Sequence, residues 1–95
     1  MYAIIFDFET DSLKKEYGAD IHKAYDEICE ELSILGFKWN PGGIYINSTP
    51  KDSLSAVYMA IQKLSSINWF KNSISYIRAF KIKDFSDFTA IVKDS

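Results

Sequence analysis

The most constraining feature of the chain is an apolar run at its start that one charge interrupts. Residues Tyr2–Phe8 alternate between two faces of a predicted strand. One face carries Tyr2, Ile4, Phe6 and Phe8, and the other carries Ala3, Ile5 and Asp7. Apolar residues on both faces are typical of a central strand that is covered on both sides. A carboxylate is costly to bury there without a partner, so Asp7 requires an explanation.

The segment after this strand changes from loop to helix. Glu9 to Asp20 is polar and is interpreted as a loop, which has room for a short turn. From about Asp20 an apolar stripe with helical spacing predicts an amphipathic helix. The stripe consists of Ile21, Ala24, Tyr25, Ile28, Leu32 and Leu35. Gly36 follows it and suits the left-handed position just beyond a helix end.

A hairpin and a second helix are predicted next. The hairpin has strands Phe37–Trp39 and Gly43–Asn47, joined by a turn at Asn40-Pro41-Gly42. The stretch "STPKDSL" favours a helix start, with Thr49 as the cap and Pro50 at the first helical position. The buried stripe of this helix is predicted to be Leu54, Val57, Tyr58, Ile61 and Leu64.

The last strand is predicted over Ile74–Ile82, after a connector "INWFKNS". The tail from Lys83 forms either a short helix capped by Ser86 or an added edge strand. The order β-α-β-β-α-β predicts a single α+β domain over residues 1–95, a ferredoxin-like sandwich with an antiparallel sheet and a short C-terminal tail element. In that topology the first and third strands are central. Helices cover one sheet face, and a second copy of the chain is the simplest cover for the other.

Composition limits the classes of function. The 95 residues carry a net charge of −2 with a pI near 5.3, so any nucleic-acid binding must depend on a local basic patch. The opening lacks the basic segment of a secretory signal, and no apolar run approaches the ~20 residues of a membrane span. Cys29 is the single cysteine and has no internal disulfide partner. These features predict a cytoplasmic protein without a membrane interaction.

Asp7 is the first candidate site residue, and two interpretations are open. As a structural residue it caps the following loop through backbone N–H groups. As a functional residue it faces a dimer interface, where two copies hold a divalent cation such as Mg²⁺ or share a proton for acid–base chemistry. Alternation places Glu9 with Asp7 and leaves Asp11 in the loop, where both could equally be solvated.

Arg78 is the second candidate, since it is the only arginine in the chain and interrupts an apolar stripe. The residues predicted to share its face are Ile74, Tyr76, Phe80 and Ile82. One interpretation is an ion pair with a carboxylate in a subunit interface, because buried charges need partners. The other is phosphate binding, for which the planar guanidinium is well suited.

Three further residues are candidates for RNA contact. Tyr45 lies in the second central strand and is either a core aromatic or a residue that stacks on a base. Lys81 and Lys83 share the strand face opposite to Arg78. They either solvate an edge strand or supply a local basic patch. Signatures of zinc binding, of nucleotide binding and of a Ser/His/Asp triad are absent from the sequence.

Several stretches together resemble the bacterial virulence-associated protein D (VapD) family over nearly the whole chain. They are "MYAIIFD", "AYDEICEELSILGF", "GGIYIN", "NWFKNSISYIRAFKI" and "DFSDFT". The resemblance implies a ferredoxin-like fold, a homodimer and kinship with the small CRISPR-associated endoribonucleases. In those nucleases an aspartate at the end of the first strand is assigned to catalysis, and Asp7 occupies that place. Arg78 stands at the family's Ile-Arg-Ala-Phe position.

The chain departs from the resembled pattern at two places. Many relatives have Gly-Ser before the aliphatic-Tyr pair, where this chain has Gly42-Gly43. Relatives often have Asp directly before Ile-Arg, where this chain has Tyr76. If that acid normally pairs with the arginine, Arg78 needs another partner or is freer to meet phosphate.

The leading hypothesis is a toxin-like, homodimeric endoribonuclease that cleaves single-stranded RNA, with mRNA as the expected target and an antitoxin protein as a further partner. Asp7 and Arg78 are the expected catalytic residues, and Tyr45, Lys81 and Lys83 the expected RNA-binding residues. In one mechanism the Asp7 pair binds Mg²⁺ and activates water. In the other the RNA 2′-hydroxyl attacks, with Asp7 as base. The alternatives are a non-catalytic regulatory module that binds a protein partner, and a purely structural dimer.

Overall fold

Four antiparallel strands form one sheet in the order β2-β3-β1-β4, with β3 and β1 in the centre. The structure is a computed structural model and describes residues 1–47, 54–83 and 86–95. The elements are β1 (Tyr2–Phe8), α1 (Thr10–Glu16), α2 (Ile21–Ile34), β2 (Phe37–Asn40), β3 (Ile44–Asn47), α3 (Leu54–Ser65), α4 (Asn68–Ser73), β4 (Ile74–Lys81) and α5 (Thr89–Lys93). The predicted α+β class, the antiparallel sheet and the two central strands are confirmed.

The hydrophobic core lies on one face of this sheet, where the predicted topology places the helices. Ile4, Phe6 and Phe8 are buried against the helices, whereas Asp7 points away and is exposed. The other buried members of the core are Leu13, Ala24, Ile28, Leu32, Phe37, Tyr45, Val57, Ala60, Leu64 and Phe70. Aromatic rings are concentrated under the end of β1, where Phe6 contacts Phe8, Tyr25, Tyr45 and Phe70. This packing fixes the position of the strand end that carries Asp7.

Helix α2 follows the predicted stripe closely. The side chain of Asp20 accepts a hydrogen bond from the backbone N–H of Lys23 and caps the helix start. Ala24, Ile28 and Leu32 are fully buried. Gly36 has a φ of 90°, the left-handed conformation predicted for a residue beyond the helix end. The local signals of cap, stripe and glycine therefore agree, which explains why this helix could be predicted.

Two segments predicted as loops are helices. The interpretation of Glu9–Asp20 as a loop was wrong, because Thr10–Glu16 forms α1 and Leu13 anchors it in the core. The connector "INWFKNS" contains α4, which buries Phe70. In both cases one buried apolar side chain in a short polar segment holds a helix that has too few turns to show a periodic stripe.

Helix α3 buries a narrower stripe than the sequence predicts. Val57, Ala60 and Leu64 are buried, whereas Leu54 and Tyr58, which were predicted to be buried, are 48% and 67% exposed. The predicted start of this helix, with Thr49 and Pro50, lies outside the described residues. The tail forms a helix rather than an edge strand. Its cap position is Phe88 and not Ser86.

The pairing of β1 with β4 contains an irregularity that changes the face of one residue. Asp7 lies opposite Tyr76, but Phe8 lies opposite Ile74, so that the register shifts between them. Ile74 consequently packs against the core instead of sharing the face of Arg78. The prediction that Ile74 lies beside Arg78 was wrong for this reason. Tyr76, Arg78 and Phe80 do share one face, opposite Asp7, Ile5 and Ala3.

Replacement of Leu32 by alanine tests the position of the core. Leu32 is fully buried, so we expect a loss of about 2–5 kcal/mol in the free energy of unfolding. Ile34 lies in the same helix and is 80% exposed, and its replacement by alanine is expected to change that free energy by at most ~0.5 kcal/mol. Urea titrations of both variants measure the difference. Equal losses would contradict the assigned helix face.

Candidate active site at the end of the first strand

The last residues of β1 are paired with a neighbouring strand on one side only. Strand β3 pairs with β1 only from Tyr2 to Ile4, whereas β4 pairs along the whole of β1. The turn of the β2–β3 hairpin lies beside the uncovered edge. The cleft there has a volume of about 310 Å³ and is lined by Ile5, Phe6, Asp7, Tyr25, Trp39, Gly42, Gly43, Tyr45 and Tyr76. The topology thus leaves a cleft next to Asp7.

Asp7 is held at this edge through one carboxylate oxygen. Its Oδ1 accepts hydrogen bonds from the backbone N–H of Phe8 at 3.0 Å and from the hydroxyl of Tyr25 at 3.3 Å. Within the described ranges, Oδ2 has no hydrogen-bond partner and the side chain is exposed. The structural and functional interpretations are therefore compatible, since one oxygen caps the strand end and the side chain also lines the cleft.

Tyr25 extends from α2 to this carboxylate. Burial, together with the charge of Asp7 and the hydrogen bond to it, raises the pKa of the Tyr25 hydroxyl. The hydroxyl therefore keeps its proton at neutral pH and remains a donor. Tyr25 was predicted as a member of the apolar stripe, and its ring does pack on Phe6 and Phe8. The contact of its hydroxyl with Asp7 was not predicted.

Arg78 lies on the same sheet face as Asp7. It is directly opposite Ile5, one diagonal step from Asp7, a Cα separation of about 7–8 Å in an antiparallel pair. Its guanidinium carbon lies 4.6 Å from the centre of the Tyr76 ring. Within the described part of the chain, no carboxylate lies within ion-pair distance of Arg78, and its side chain is exposed. Asp7, Tyr76 and Arg78 are thus neighbours on one sheet face, with Tyr76 opposite Asp7 and Arg78 two residues further along β4.

Tyr45 lies on the opposite, helix-covered face of the sheet. It is 4% exposed and stacks on Phe6 with 5.5 Å between ring centres. Burial raises its pKa to about 12. This location agrees with the interpretation of Tyr45 as a core aromatic. The residue nevertheless reaches the cleft, so its predicted role in RNA binding stays a prediction.

Lys81 and Lys83 lie away from Asp7. Lys81 is opposite Tyr2 at the other end of β1, and its Nζ is 6.0 Å from the centre of the Tyr2 ring. Asp7 lies five positions along the strand from Tyr2, which corresponds to about 17 Å. Lys83 is exposed beyond the end of β4. The structure does not bring these lysines together with Asp7 and Arg78.

Glu9 does not join Asp7, contrary to the alternation argument. Its carboxylate caps α1 and accepts hydrogen bonds from the backbone N–H groups of Asp11 and Ser12, at 3.4 and 2.7 Å. Hydrogen bonds from Ser12, through its side chain and its backbone N–H, hold the pKa of Glu9 below its usual range. The strand ends at Phe8, so the period-two pattern no longer applies to Glu9.

The donor set of one protomer does not by itself make a metal site. Among the residues that the structure describes, no group of three or more His, Cys, Asp or Glu side chains could hold an ion. Asp7 provides one carboxylate, and Mg²⁺ prefers octahedral oxygen ligands from one or two carboxylates, water and phosphate. The Mg²⁺ site predicted from the sequence combines Asp7 of two protomers, and it stays a prediction.

The chain is similar to curated proteins over almost its full length, although no sequence-family model matches it. It is 55% identical over 93 residues to Endoribonuclease VapD of Helicobacter pylori, a match that covers 98% of this chain and 99% of that protein. It is 53% identical over 93 residues to Endoribonuclease VapD of Dichelobacter nodosus, with 98% of each covered. The chain belongs to the VapD family.

A third relative, Endoribonuclease VapD 1 of Riemerella anatipestifer, is 40% identical over 81 residues, covering 85% of this chain and 89% of that protein. These matches confirm the family predicted from the sequence motifs. Among the described helices of this VapD-family chain, none has the length and apolar character of a membrane span.

The raised pKa of Tyr45 predicts a loss of stability at alkaline pH. An unfolded tyrosine ionises near pH 10 and the folded one near 12, so folding keeps a proton that the unfolded chain releases. Stability should therefore fall between pH ~10 and ~12. We expect Tyr45→Phe to reduce this fall, as measured by urea titrations across that range. An unchanged pH dependence in the variant would contradict the burial of the hydroxyl.

Proposed function

We propose that this VapD-family protein is a cytoplasmic endoribonuclease that cleaves single-stranded RNA at the Asp7 cleft, with mRNA as its target. The observation that carries the proposal is the arrangement of Asp7 beside the cleft: its Oδ1 is held by Phe8 and Tyr25, and its Oδ2 has no hydrogen-bond partner among the described residues. The names of the relatives as endoribonucleases support the class of reaction. Arg78, on the same sheet face, provides the positive charge that a reacting phosphate requires.

The donor set favours attack by the RNA 2′-hydroxyl. In this route Asp7 Oδ2 accepts the proton of the 2′-hydroxyl as its oxygen bonds to the adjacent phosphorus. Arg78 stabilises the negative charge that develops on the phosphoryl oxygens. The bond to the 5′-oxygen breaks, that oxygen takes up a proton, and a 2′,3′-cyclic phosphate remains. Tyr25 keeps the carboxylate oriented through its hydrogen bond.

The Mg²⁺ route stays an alternative, in the form in which two copies of Asp7 share one ion. In a dimer whose axis passes near this residue, the two carboxylates would together hold the ion. The bound ion would supply an activated water for attack on the phosphorus. The two routes differ in whether they use the RNA 2′-hydroxyl.

The homodimer that we propose buries the open face of the sheet. On this face Tyr76 and Phe80 are 37% and 41% exposed beside Arg78. Exposed apolar side chains that adjoin one another are typical of protein–protein interfaces. A second copy placed there would bring a second Asp7 and Arg78 towards the same cleft.

The C-terminal helix supports the same assembly. Every residue from Ser86 to Ser95 is exposed, including Phe88, Ile91 and Val92 at 62%, 64% and 70%. A helix as short as α5 is marginal in water without a packing surface. The Cα radius of gyration is 14.6 Å, compared with ~12 Å for a compact domain of this size. We propose that α5 packs against the partner protomer.

Replacement of Asp7 by asparagine tests the catalytic role. The variant keeps an acceptor for Phe8 and Tyr25 but loses the base, so we expect the cleavage rate to fall by about 10²- to 10⁴-fold. Asp11→Asn is the matched control, since Asp11 is an exposed acid in α1 outside the cleft, and it should cleave normally. Equal cleavage by all three proteins would assign the activity to a contaminating nuclease.

The nature of the RNA and the metal requirement separate the two routes. Attack by the 2′-hydroxyl predicts that RNA with 2′-O-methyl groups resists cleavage and that a chelator has no effect. The Mg²⁺ route predicts that RNA with 2′-O-methyl groups is cleaved and that a chelator abolishes cleavage. Electrophoresis of end-labelled oligonucleotides measures both, and detection of a cyclic phosphate at the product end identifies the first route.

Replacement of Phe80 by glutamate tests the dimer. A charge on each side of a buried apolar face should dissociate the dimer, because an unpaired carboxylate is costly to bury. Tyr58→Glu is the control, since Tyr58 is exposed on α3, away from the sheet face. Sedimentation velocity should show a monomer for the first variant and a dimer for the second. A dimer in both would place the interface elsewhere.

A non-catalytic module that binds a protein partner, for example an antitoxin, is the second candidate. The exposed apolar residues of α5 favour it, because they would also suit a different protein. Under this candidate the purified protein cleaves no RNA, and Asp7→Asn leaves partner binding intact.

A further inference from the structure

A second cavity opens directly beside the Asp7 cleft. It lies between α2 and the β2–β3 hairpin, has a volume of about 410 Å³ and is lined by Tyr25, Asp26, Cys29, Trp39 and Tyr45. Tyr25, Trp39 and Tyr45 also line the Asp7 cleft. The two cavities therefore adjoin one another, and a chain that is bound at Asp7 would pass beside the second one.

Trp39 gives this cavity an exposed aromatic surface. It lies opposite Tyr45 in the β2–β3 ladder, which directs both side chains towards the helix-covered face. Tyr45 is buried there, whereas Trp39 stays 53% exposed. An exposed tryptophan beside a groove is the usual means by which proteins stack an unpaired base.

The charge in the cavity disfavours a phosphate and favours a base. Asp26 is exposed, and within the described residues its carboxylate has no hydrogen-bond partner. Among the described residues, the lining contains no lysine or arginine. A carboxylate repels phosphate, but it accepts hydrogen bonds from the N–H groups on the edge of a nucleobase.

We propose that Trp39 and Asp26 form a binding site for one unpaired RNA base next to the cleavage position, with guanine as the preferred base. The proposal rests on the function proposed above. Guanine carries two adjacent N–H donors on its Watson–Crick edge, which one carboxylate accepts together. Adenine and cytosine place a ring-nitrogen acceptor beside their amino group, and uracil places carbonyl acceptors on both sides of its N–H. Each of these acceptors faces the negative charge of Asp26 unfavourably.

Binding of RNA that resists cleavage tests the site apart from catalysis. The probes are fluorescein-labelled pentanucleotides with 2′-O-methyl groups throughout and a central G, A, C or U between uridines. Fluorescence anisotropy gives their dissociation constants. We expect the wild-type protein to bind the guanine probe most tightly. Trp39→Ala should weaken binding of all four probes by about 5- to 150-fold, and Trp39→Phe should restore part of the loss.

Asp26→Asn should act on selectivity rather than on overall affinity. It removes one acceptor and the negative charge, so the preference for guanine should fall to less than about a fifth of its wild-type value, while the uracil probe binds at least as tightly as before. Glu30→Gln, on the same helix but outside this cavity, is the control for charge, and Tyr58→Ala is the control for loss of an exposed aromatic ring. Thermal melting and sedimentation establish that each variant is folded and has the wild-type oligomeric state.

The possible results separate this inference from the proposed function. Wild-type affinity in Trp39→Ala would overturn the base site, even if the wild-type protein cleaves RNA. If Trp39→Ala changes the oligomeric state and leaves the RNA affinity unchanged, the surface is a protein interface. That result would also overturn the base site. Unchanged guanine preference in Asp26→Asn would overturn the role of that carboxylate. Selective binding without any cleavage would leave the base site standing and refute the nuclease.

Discussion

The rest of the structure depends on one constraint, which is that strand β1 contributes to the hydrophobic core on one face and to the candidate site on the other. One face of the strand contributes Ile4, Phe6 and Phe8 to the core and is fixed by aromatic contacts with α2 and α4. Because side chains alternate, the same strand must present Asp7 on its other face. Any slip in the register would exchange the two sets of residues, so the core that stabilises the fold also determines where the carboxylate lies.

The short pairing of β3 turns this strand end into a site. A full-length neighbour would have covered the edge of β1 and left Asp7 in a closed ladder. Instead, β3 leaves β1 after Ile4, and the hairpin turn at Gly42 and Gly43 lies beside the gap. Both glycines have positive φ values, 101° and 79°, which a residue with a side chain would adopt only with strain. The hairpin geometry and the open edge are thus consequences of the same turn.

Parts of the fold with strong local signals could be predicted from the sequence. The alternation in β1 and the capped stripe of α2 identify these two elements without reference to the rest of the chain. Helix α1 could not be predicted, because its cap is Glu9, a residue that alternation had assigned to the strand face, and its core contact is the single residue Leu13. Ile74 lies on the core face instead of the face of Arg78 because the pairing of β1 with β4 shifts, and the sequence of one strand does not reveal such a shift.

The candidate site shows the same division. Asp7 and Arg78 were predicted because each interrupts an apolar pattern, and the structure places them as diagonal neighbours on one sheet face. Tyr25 was missed because its helical spacing marks it correctly as a core residue, whereas its hydroxyl acts at a strand that lies 18 residues earlier in the chain. Tyr76 was likewise assigned to an apolar stripe, and Trp39 was predicted only as the end of a strand. Their place at the cleft depends on which strand ends the fold brings together, and that is tertiary information.

The most direct test of the account is a crystal structure of the protein that shows how two copies meet. We predict a two-fold dimer through the sheet face that carries Tyr76, Arg78 and Phe80, with the two Asp7 carboxylates facing one shared cleft and α5 packed on the partner. A monomer, or a dimer formed through the helices with the two Asp7 residues on separate outer surfaces, would contradict it.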